Sequence, residues 1–149
     1  MYEAEIRSVE VNSGNYLDLK PAVTTCGSYG SIVGGANVWG SGTYLTKTLS
    51  NLPTHTHLRV RFEYYAIETW DGERAQLRVD NSLVWDQAYN GNVGSQSLPG
   101  LVARSNQCGA GAQDGKFDIE RTITHSSSSV TLRFGSTLNE GASNEAWGL

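Results

Sequence analysis

The chain has 149 residues, a length that favours one domain with its own hydrophobic core. Hydrophobic residues make up 38% and charged residues 17%, and the net charge of −4 comes without a cluster of Lys and Arg, so nucleic acid is not an expected partner. Membrane insertion is not expected either, because no apolar run approaches the roughly 20 residues that a spanning helix needs.

Alternation of apolar and polar residues predicts strands along most of the chain. In "HLRVRFEYYAI", Leu58, Val60 and Phe62 fall on one face, and Arg59 and Arg61 fall on the other. No segment has the 3.6-residue period of an amphipathic helix. In chain order, strands are predicted over residues 4–11, 43–49, 57–67, 75–79, 83–85, 116–123, 129–136 and 145–149.

Short polar connections are predicted to join some of these strands as hairpins. Asp80-Asn81 separates two alternating runs, and this pair tolerates the positive φ that a tight turn needs. "HSSSS" at residues 125–129 is interpreted as a second hairpin turn, and Asp71-Gly72 in "ETWDGE" carries the same signal.

Two long polar stretches, residues 24–42 and 90–115, lack this alternation and are predicted to be loops. Long irregular loops in a compact domain are uncommon and often functional. Closely spaced strands with one apolar face each are expected to pack as two sheets. The predicted fold is therefore an all-β, antiparallel β-sandwich, most simply a jelly roll, with residues 1–149 forming a single module.

Cys26 and Cys108 are the only cysteines, and each lies beside glycine in one of the two predicted loops. Buried free cysteines usually lie in apolar stretches, which these do not. We therefore predict a disulfide that staples the two loops together; the alternative is two unrelated thiols. A disulfide implies an oxidising compartment, so we expect an extracellular or cell-surface location.

Catalysis is not expected from the residue patterns. His55 and His57 lie two apart at the start of a strand, where they could share a face and bind a metal, but an exposed polar strand end is the simpler interpretation. His125 precedes a serine run, yet no nucleophile elbow or similar motif supports a catalytic triad. We interpret the protein as a non-enzyme.

Aromatic residues in or beside the predicted loops are candidates for ligand binding. Trp39, Tyr29 and Tyr89 could form a stacking platform for a sugar ring at a loop-lined end of the sandwich. The alternative for each ring is ordinary packing in the core or at a strand end.

The segment "TWDGE" admits a second interpretation besides a turn, namely a calcium site. Asp71 and Glu73 flank a glycine, and the run "NEGASNEAWG" supplies further oxygen donors, among them Asn144 and Glu145. Calcium takes six to eight oxygen ligands from carboxylates, amides and carbonyls. We predict that Asp71 and Glu73 meet Glu145 around the ion, with Asn144 as a further ligand and with the last strand beside the strand that follows "TWDGE".

The order of these features resembles a module that is repeated in large surface proteins of ciliates and other single-celled eukaryotes. The resemblance is carried by "GSIVGGANVWGSGTYLTKTL" after the first cysteine, "LPTHTHLRVRFEYYAIETWDGE", "VDNSLVWDQ", the second cysteine, and "VTLRFGSTLNEGASNEAWGL". Such modules typically close on a segment like "DESWGIDN", whose first acid is replaced here by Asn144, and an aspartate expected soon after is missing.

This resemblance implies a galactose-binding-like jelly roll excised from a larger, multi-module extracellular protein. We expect it to act in adhesion or carbohydrate recognition with calcium-organised loops. Its expected partners are a glycan, a cell-surface protein or neighbouring copies of the module. The alternative is a structural building block of a surface coat or filament that binds no sugar.

Overall fold

A computed structural model describes residues 22–149 together with three short strands that precede them, at residues 2–3, 10–13 and 18–19. Most of the strand predicted over residues 4–11 lies outside the described residues. Numbered in chain order, the strands are β1 Tyr2–Glu3, β2 Glu10–Ser13, β3 Asp18–Leu19, β4 Val23–Thr25, β5 Ser31–Val33, β6 Thr43–Leu49, β7 His57–Glu68, β8 Asp71–Val79, β9 Ser82–Asn90, β10 Leu101–Ser105, β11 Asp114–Thr124, β12 Val130–Ser136 and β13 Glu145–Gly148.

The strands form two large sheets and one small hairpin. The first sheet has the order β1-β7-β11-β10, with β13 also paired to β7. The second has the order β3-β2-β6-β12-β8-β9, and β4 pairs with β5 alone. The described pairs are antiparallel except β1 with β7, which is parallel. The only helical element in the described part of the chain is a single 3-10 turn at Gly27–Tyr29. The prediction of an all-β, antiparallel fold is thus confirmed.

The two large sheets pack face to face across a core rich in aromatic rings. Phe62 of β7 meets Phe134 of β12 with ring centroids 5.0 Å apart, and Tyr64 of β7 meets Trp85 of β9 at 5.3 Å. Each pair joins a strand of the first sheet to a strand of the second. The apolar face predicted for β7 is therefore the face that holds the sandwich together.

Two of the three predicted hairpin turns are wrong. Asp80 and Asn81 have φ values of 48° and 68° and join β8 to β9 as expected. Residues 125–129, however, lead from β11 in the first sheet to β12 in the second. Thr69-Trp70 likewise carry the chain from β7 to β8 across the sandwich, so Asp71-Gly72 is not the turn of a hairpin. Turn-forming residues also suit connections between sheets, and local sequence does not separate the two cases.

The predicted loops contain regular structure that alternation did not reveal. Residues 24–42 hold most of the β4–β5 hairpin, and residues 90–115 hold β10. The disulfide joining Cys26 to Cys108 is confirmed, with a Cα–Cα distance of 4.8 Å. Cys26 packs with the outward side chains of the end of β7, which include Tyr65 and Ile67, in a small second cluster. The disulfide therefore holds the segment that contains Cys26 against the outer face of the first sheet, at the end of β7.

Reduction of this disulfide should lower stability. The bridge spans 82 residues of sequence, and the chain-entropy argument assigns about 4–5 kcal/mol to a loop of that size. Denaturant unfolding of oxidised wild type and of a Cys26→Ala/Cys108→Ala variant should differ by most of this amount, with limited proteolysis beginning in residues 24–42 and 90–115. Equal midpoints for the two proteins would contradict the stabilising role.

Candidate metal centre

The candidate site lies where β7 ends and the chain crosses to β8. Thr69 donates its backbone N–H and its hydroxyl to the carbonyl oxygen of Asn144, at 3.1 and 2.7 Å. The Trp70 indole N–H donates to the carbonyl oxygen of Ala146 at 2.8 Å. These bonds fix the last segment of the chain against the crossing.

The last strand pairs with β7, and Glu145 is the register partner of Glu68. We predicted the juxtaposition of this strand with "TWDGE", but we expected it beside the strand after that segment. The last strand lies instead beside the strand before it, because β7 has a free edge there while β8 is paired on both edges by β9 and β12. The turn at the crossing then brings Asp71 close to Glu145.

Three carboxylates converge at this point. One oxygen from each of Asp71, Glu73 and Glu145 lies within 4.8 Å of the other two. Asp71 is exposed, whereas Glu73 and Glu145 are buried, with 8% and 2% of their surface accessible to solvent. Among the described residues, no Lys or Arg forms an ion pair with any of the three. Two of the carboxylates are therefore buried beside a third, with no ion-pair partner among the Lys and Arg residues that the structure describes.

Backbone and amide donors satisfy part of this cluster. The Asp71 backbone N–H donates to Glu73 Oε2 at 2.7 Å, and the Glu140 backbone N–H donates to Glu145 Oε2 at 3.3 Å. Asn139 Nδ2 donates to Glu73 Oε1 at 3.4 Å. These donors orient the carboxylates, but they supply no full positive charge.

Asn144, which we predicted as a direct ligand, lies one step away from the three carboxylates. Its side chain is exposed and donates from Nδ2 to Glu140 Oε2 at 2.9 Å. Its backbone carbonyl is occupied by the two bonds from Thr69. Asn139, which the sequence placed only in the same oxygen-rich run, is the amide residue that contacts the cluster.

The electrostatics of the cluster disfavour the ionised form of Glu145. Burial raises the pKa of the Glu145 carboxyl above its ordinary value of 4.5, and the nearby charges of Glu73 and Glu140 raise it further. A cation bound between these groups would oppose both causes, because it favours the ionised form. The donor set is made entirely of hard oxygen atoms, which fits calcium.

Two other buried acids in this part of the molecule are satisfied by the backbone. Asp114 accepts the N–H groups of Glu68, Gln107 and Cys108 at 2.7 to 2.9 Å. Glu68 accepts the N–H groups of Ala110 and Gly111. Asp114 also lies near both cysteine sulfurs, but their disulfide removes the thiolates that a metal would need. These carboxylates hold loops in place.

The predicted sugar platform is contradicted at two of its three residues. Trp39 is 2% exposed and packs on the Trp147 ring at 4.6 Å, while Tyr89 is fully buried. The Tyr89 hydroxyl donates to the Gln113 carbonyl at 2.5 Å, and burial raises the pKa of Tyr89 to about 12. Trp39 follows the β4–β5 hairpin and packs into the core, whereas Tyr89 is an inward-facing residue of β9 that packs against Trp70 and Phe117.

Tyr29, the third platform residue, is partly buried beside the disulfide. Its ring tilts against Tyr65 at 5.6 Å, and its hydroxyl donates to the Asp114 carbonyl at 3.2 Å. It therefore lies in the small second cluster, and the structure does not bring it together with Trp39 into a common surface.

The pair of His55 and His57, considered as a less favoured metal-binding alternative at the start of β7, is not formed, and the simpler interpretation of an exposed strand end holds for His57 but not for the buried His55. His57 is exposed and bonds to its neighbour Thr56. His55 instead stacks on His125, with 2.7 Å between His55 Nε2 and His125 Nδ1. His125 Nε2 in turn lies 3.2 Å from an Asp80 carboxylate oxygen. This contact joins residues 70 positions apart, so spacing in the sequence gave no signal for it.

Comparison of the sequence with protein-family models found no match, and comparison with curated proteins found no similar sequence. The described residues contain no helix with the length and hydrophobicity of a transmembrane span.

Replacement of Glu145 by Gln should change how stability depends on pH in calcium-free buffer. Because the folded pKa of Glu145 is raised, the contribution of Glu145 to wild-type stability falls as pH rises from about 4.5 through the raised value. Glu145→Gln removes this loss, so the variant should gain stability relative to wild type toward neutral pH. Parallel pH curves from denaturant unfolding would contradict the electrostatic account.

Replacement of Trp39 or Tyr89, the two buried residues of the predicted sugar platform, by alanine should destabilise the fold. Trp39→Ala and Tyr89→Ala should each cost about 3–5 kcal/mol, a loss comparable to that from Leu132→Ala in the core. Urea unfolding of the three variants tests this. If the Trp39→Ala protein were as stable as wild type, the assignment of the Trp39 ring to the core would be wrong.

Proposed function

We propose that the chain is a non-enzymatic module of an extracellular or cell-surface protein, and that calcium organises its loops for adhesion or carbohydrate recognition. The observation that carries the calcium part is the convergence of Asp71, Glu73 and Glu145. Two of these carboxylates are buried, and no described basic side chain pairs with them.

The energetic argument for a cation starts from desolvation. A buried carboxylate without a partner is costly, and nearby like charges add to that cost. A bound calcium ion reverses both effects and stabilises the folded state by mass action, by about 2.7 kcal/mol at a hundredfold excess over Kd. Magnesium should substitute poorly, since it demands a smaller octahedral shell and dehydrates reluctantly.

The extracellular assignment rests on the disulfide and on the calcium chemistry together. Cys26–Cys108 requires an oxidising compartment to form and persist. Extracellular modules typically bind calcium weakly, with Kd values of about 10⁻⁴ to 10⁻³ M. A site with only three carboxylates, one of them the exposed Asp71, is consistent with weak binding of this kind.

We also propose that the sandwich is a galactose-binding-like jelly roll. The paired antiparallel sheets and the disulfide between the long segments agree with a galactose-binding-like jelly roll of the kind that the sequence resembles. In this interpretation, residues 1–149 are one module of a larger protein, and its partners are a glycan, a cell-surface protein or neighbouring copies.

Thermal unfolding tests the calcium site. The melting temperature of wild type should rise with calcium and fall with chelator, and Asp71→Asn should remove most of the difference. Asp118→Asn is the matched control, because Asp118 is an exposed aspartate of β11, outside the carboxylate cluster. Identical wild-type melting in calcium and in chelator would refute the metal centre.

Glycan-array binding tests the recognition role. Wild-type protein should bind a subset of saccharides in calcium, and chelator should weaken that binding. A chain that binds no saccharide but self-associates in sedimentation experiments would favour the structural building block instead.

A further inference from the structure

A polar groove of about 300 Å³ crosses the outer face of the second sheet. It lies over β6, β12 and β8, on the side facing away from the core. Gly135 makes room for it, because Val130, Leu132 and Phe134 point inward and position 135 therefore points outward without a side chain. The groove is lined by Thr43, Tyr44, Gln76, Arg78, Arg133 and Ser136.

Two arginines lie side by side in this groove. Arg133 and Arg78 are direct register partners of β12 and β8, so their side chains leave the same face as neighbours. Like charges directly opposite each other across a strand pair are destabilising. The sheet therefore places two arginines next to each other on this face, with Arg133 directed to Tyr44 of β6 and Arg78 to the Asn81 carbonyl.

The nearby acid on this face is already engaged by other groups. Asp86 accepts from Arg74 Nε at 2.7 Å and from Gln76 Nε2 at 3.1 Å. Arg78 donates to the backbone carbonyl of Asn81 at 3.1 Å. Arg133 forms no ion pair with any carboxylate of the described part of the chain, and the same holds for Arg78. The groove thus lacks a described counter-charge.

Tyr44 holds the Arg133 guanidinium in place. The guanidinium carbon lies 4.0 Å from the centroid of the Tyr44 ring, which is a close cation–π contact. A guanidinium placed in this way keeps its N–H donors free for a bidentate anion such as a carboxylate or a sulfate. Because the ring contact already orders the Arg133 side chain, binding an anion costs less conformational entropy.

We propose that this groove binds an acidic saccharide, with a carboxylate or sulfate ester of the sugar placed between Arg78 and Arg133. Gln76 faces the same side, and while its Nε2 donates to Asp86, its amide oxygen is a suitable acceptor for a sugar hydroxyl. The groove has the size of a mono- or disaccharide. This inference rests on the proposed role in carbohydrate recognition and places the ligand on a sheet face, because the loop-end rings are buried.

The groove can be filled without disturbing the core. A Cβ built on Gly135 meets Tyr44 Cβ at 3.5 Å and the Thr43 carbonyl oxygen at 3.8 Å, which are ordinary contacts, and Gly135 has no positive φ. Gly135→Val should therefore fold and block the groove sterically, since β-branched residues suit strands. Arg133→Gln removes the charge and keeps the length of the side chain.

The experiment is calorimetric titration in calcium with a uronic-acid disaccharide, with a sulfated disaccharide and with a neutral disaccharide of matched linkage. Wild type should bind at least one acidic sugar at least tenfold more tightly than the neutral one. Arg133→Gln and Gly135→Val should each lose about tenfold or more in affinity. Arg61→Gln is the charge control on the other sheet, where Arg61 pairs with Glu120, and it should bind like wild type.

The outcomes separate this inference from the proposed function. Acidic-sugar binding that survives in both Arg133→Gln and Gly135→Val would overturn the groove and keep the recognition role. No saccharide binding by folded, calcium-stabilised wild type would overturn both the groove and the recognition role. If inorganic sulfate or an acidic peptide, titrated in the same way, bound more tightly than either acidic sugar, the assignment of a saccharide as the ligand would be wrong.

Discussion

The end of strand β7 is the constraint on which most of the structure depends. From Tyr64 to Glu68 every residue is buried, so the strand is covered on both faces. Residues 57–66 pair with β11 on one edge, and the last four residues pair with β13 on the other. One face supplies the core between the sheets, and the opposite face carries the cluster that the disulfide closes.

This double coverage also sets the position of the candidate metal centre. Since β13 is locked to β7 in register, Glu145 is placed opposite Glu68 and beside the crossing to β8. The Trp147 ring, stacked on Tyr64 at 5.4 Å and packed against Trp39, anchors the same strand in the core. The carboxylates are thus brought together by the pairing and packing of the strands that carry them.

Apart from ion pairs such as Arg61 with Glu120, two kinds of charged group matter in this fold. Asp114 and Glu68 are buried but accept backbone N–H groups, and these bonds compensate for lost hydration and hold loops in place. The cluster around Glu145 and the pair formed by Arg78 and Arg133 are instead groups of like charge without a described counter-charge. Such groups are the places where a ligand of opposite charge gains most, because it relieves a repulsion that the fold itself maintains.

The sequence by itself determined the long alternating strands, though not β4, β5 or β10, together with the all-β class and the cysteine pairing, because alternation and local composition report which residues can be buried on one side of a strand. It could name Asp71, Glu73 and Glu145 as oxygen donors. Only the tertiary structure decided which strands are neighbours, and so it overturned the hairpins at Asp71-Gly72 and at residues 125–129, buried Trp39 and Tyr89, and set Arg78 beside Arg133. The physical reason is that strand pairing and burial depend on contacts between residues far apart in sequence, and alternation is the same whichever strand lies next to it.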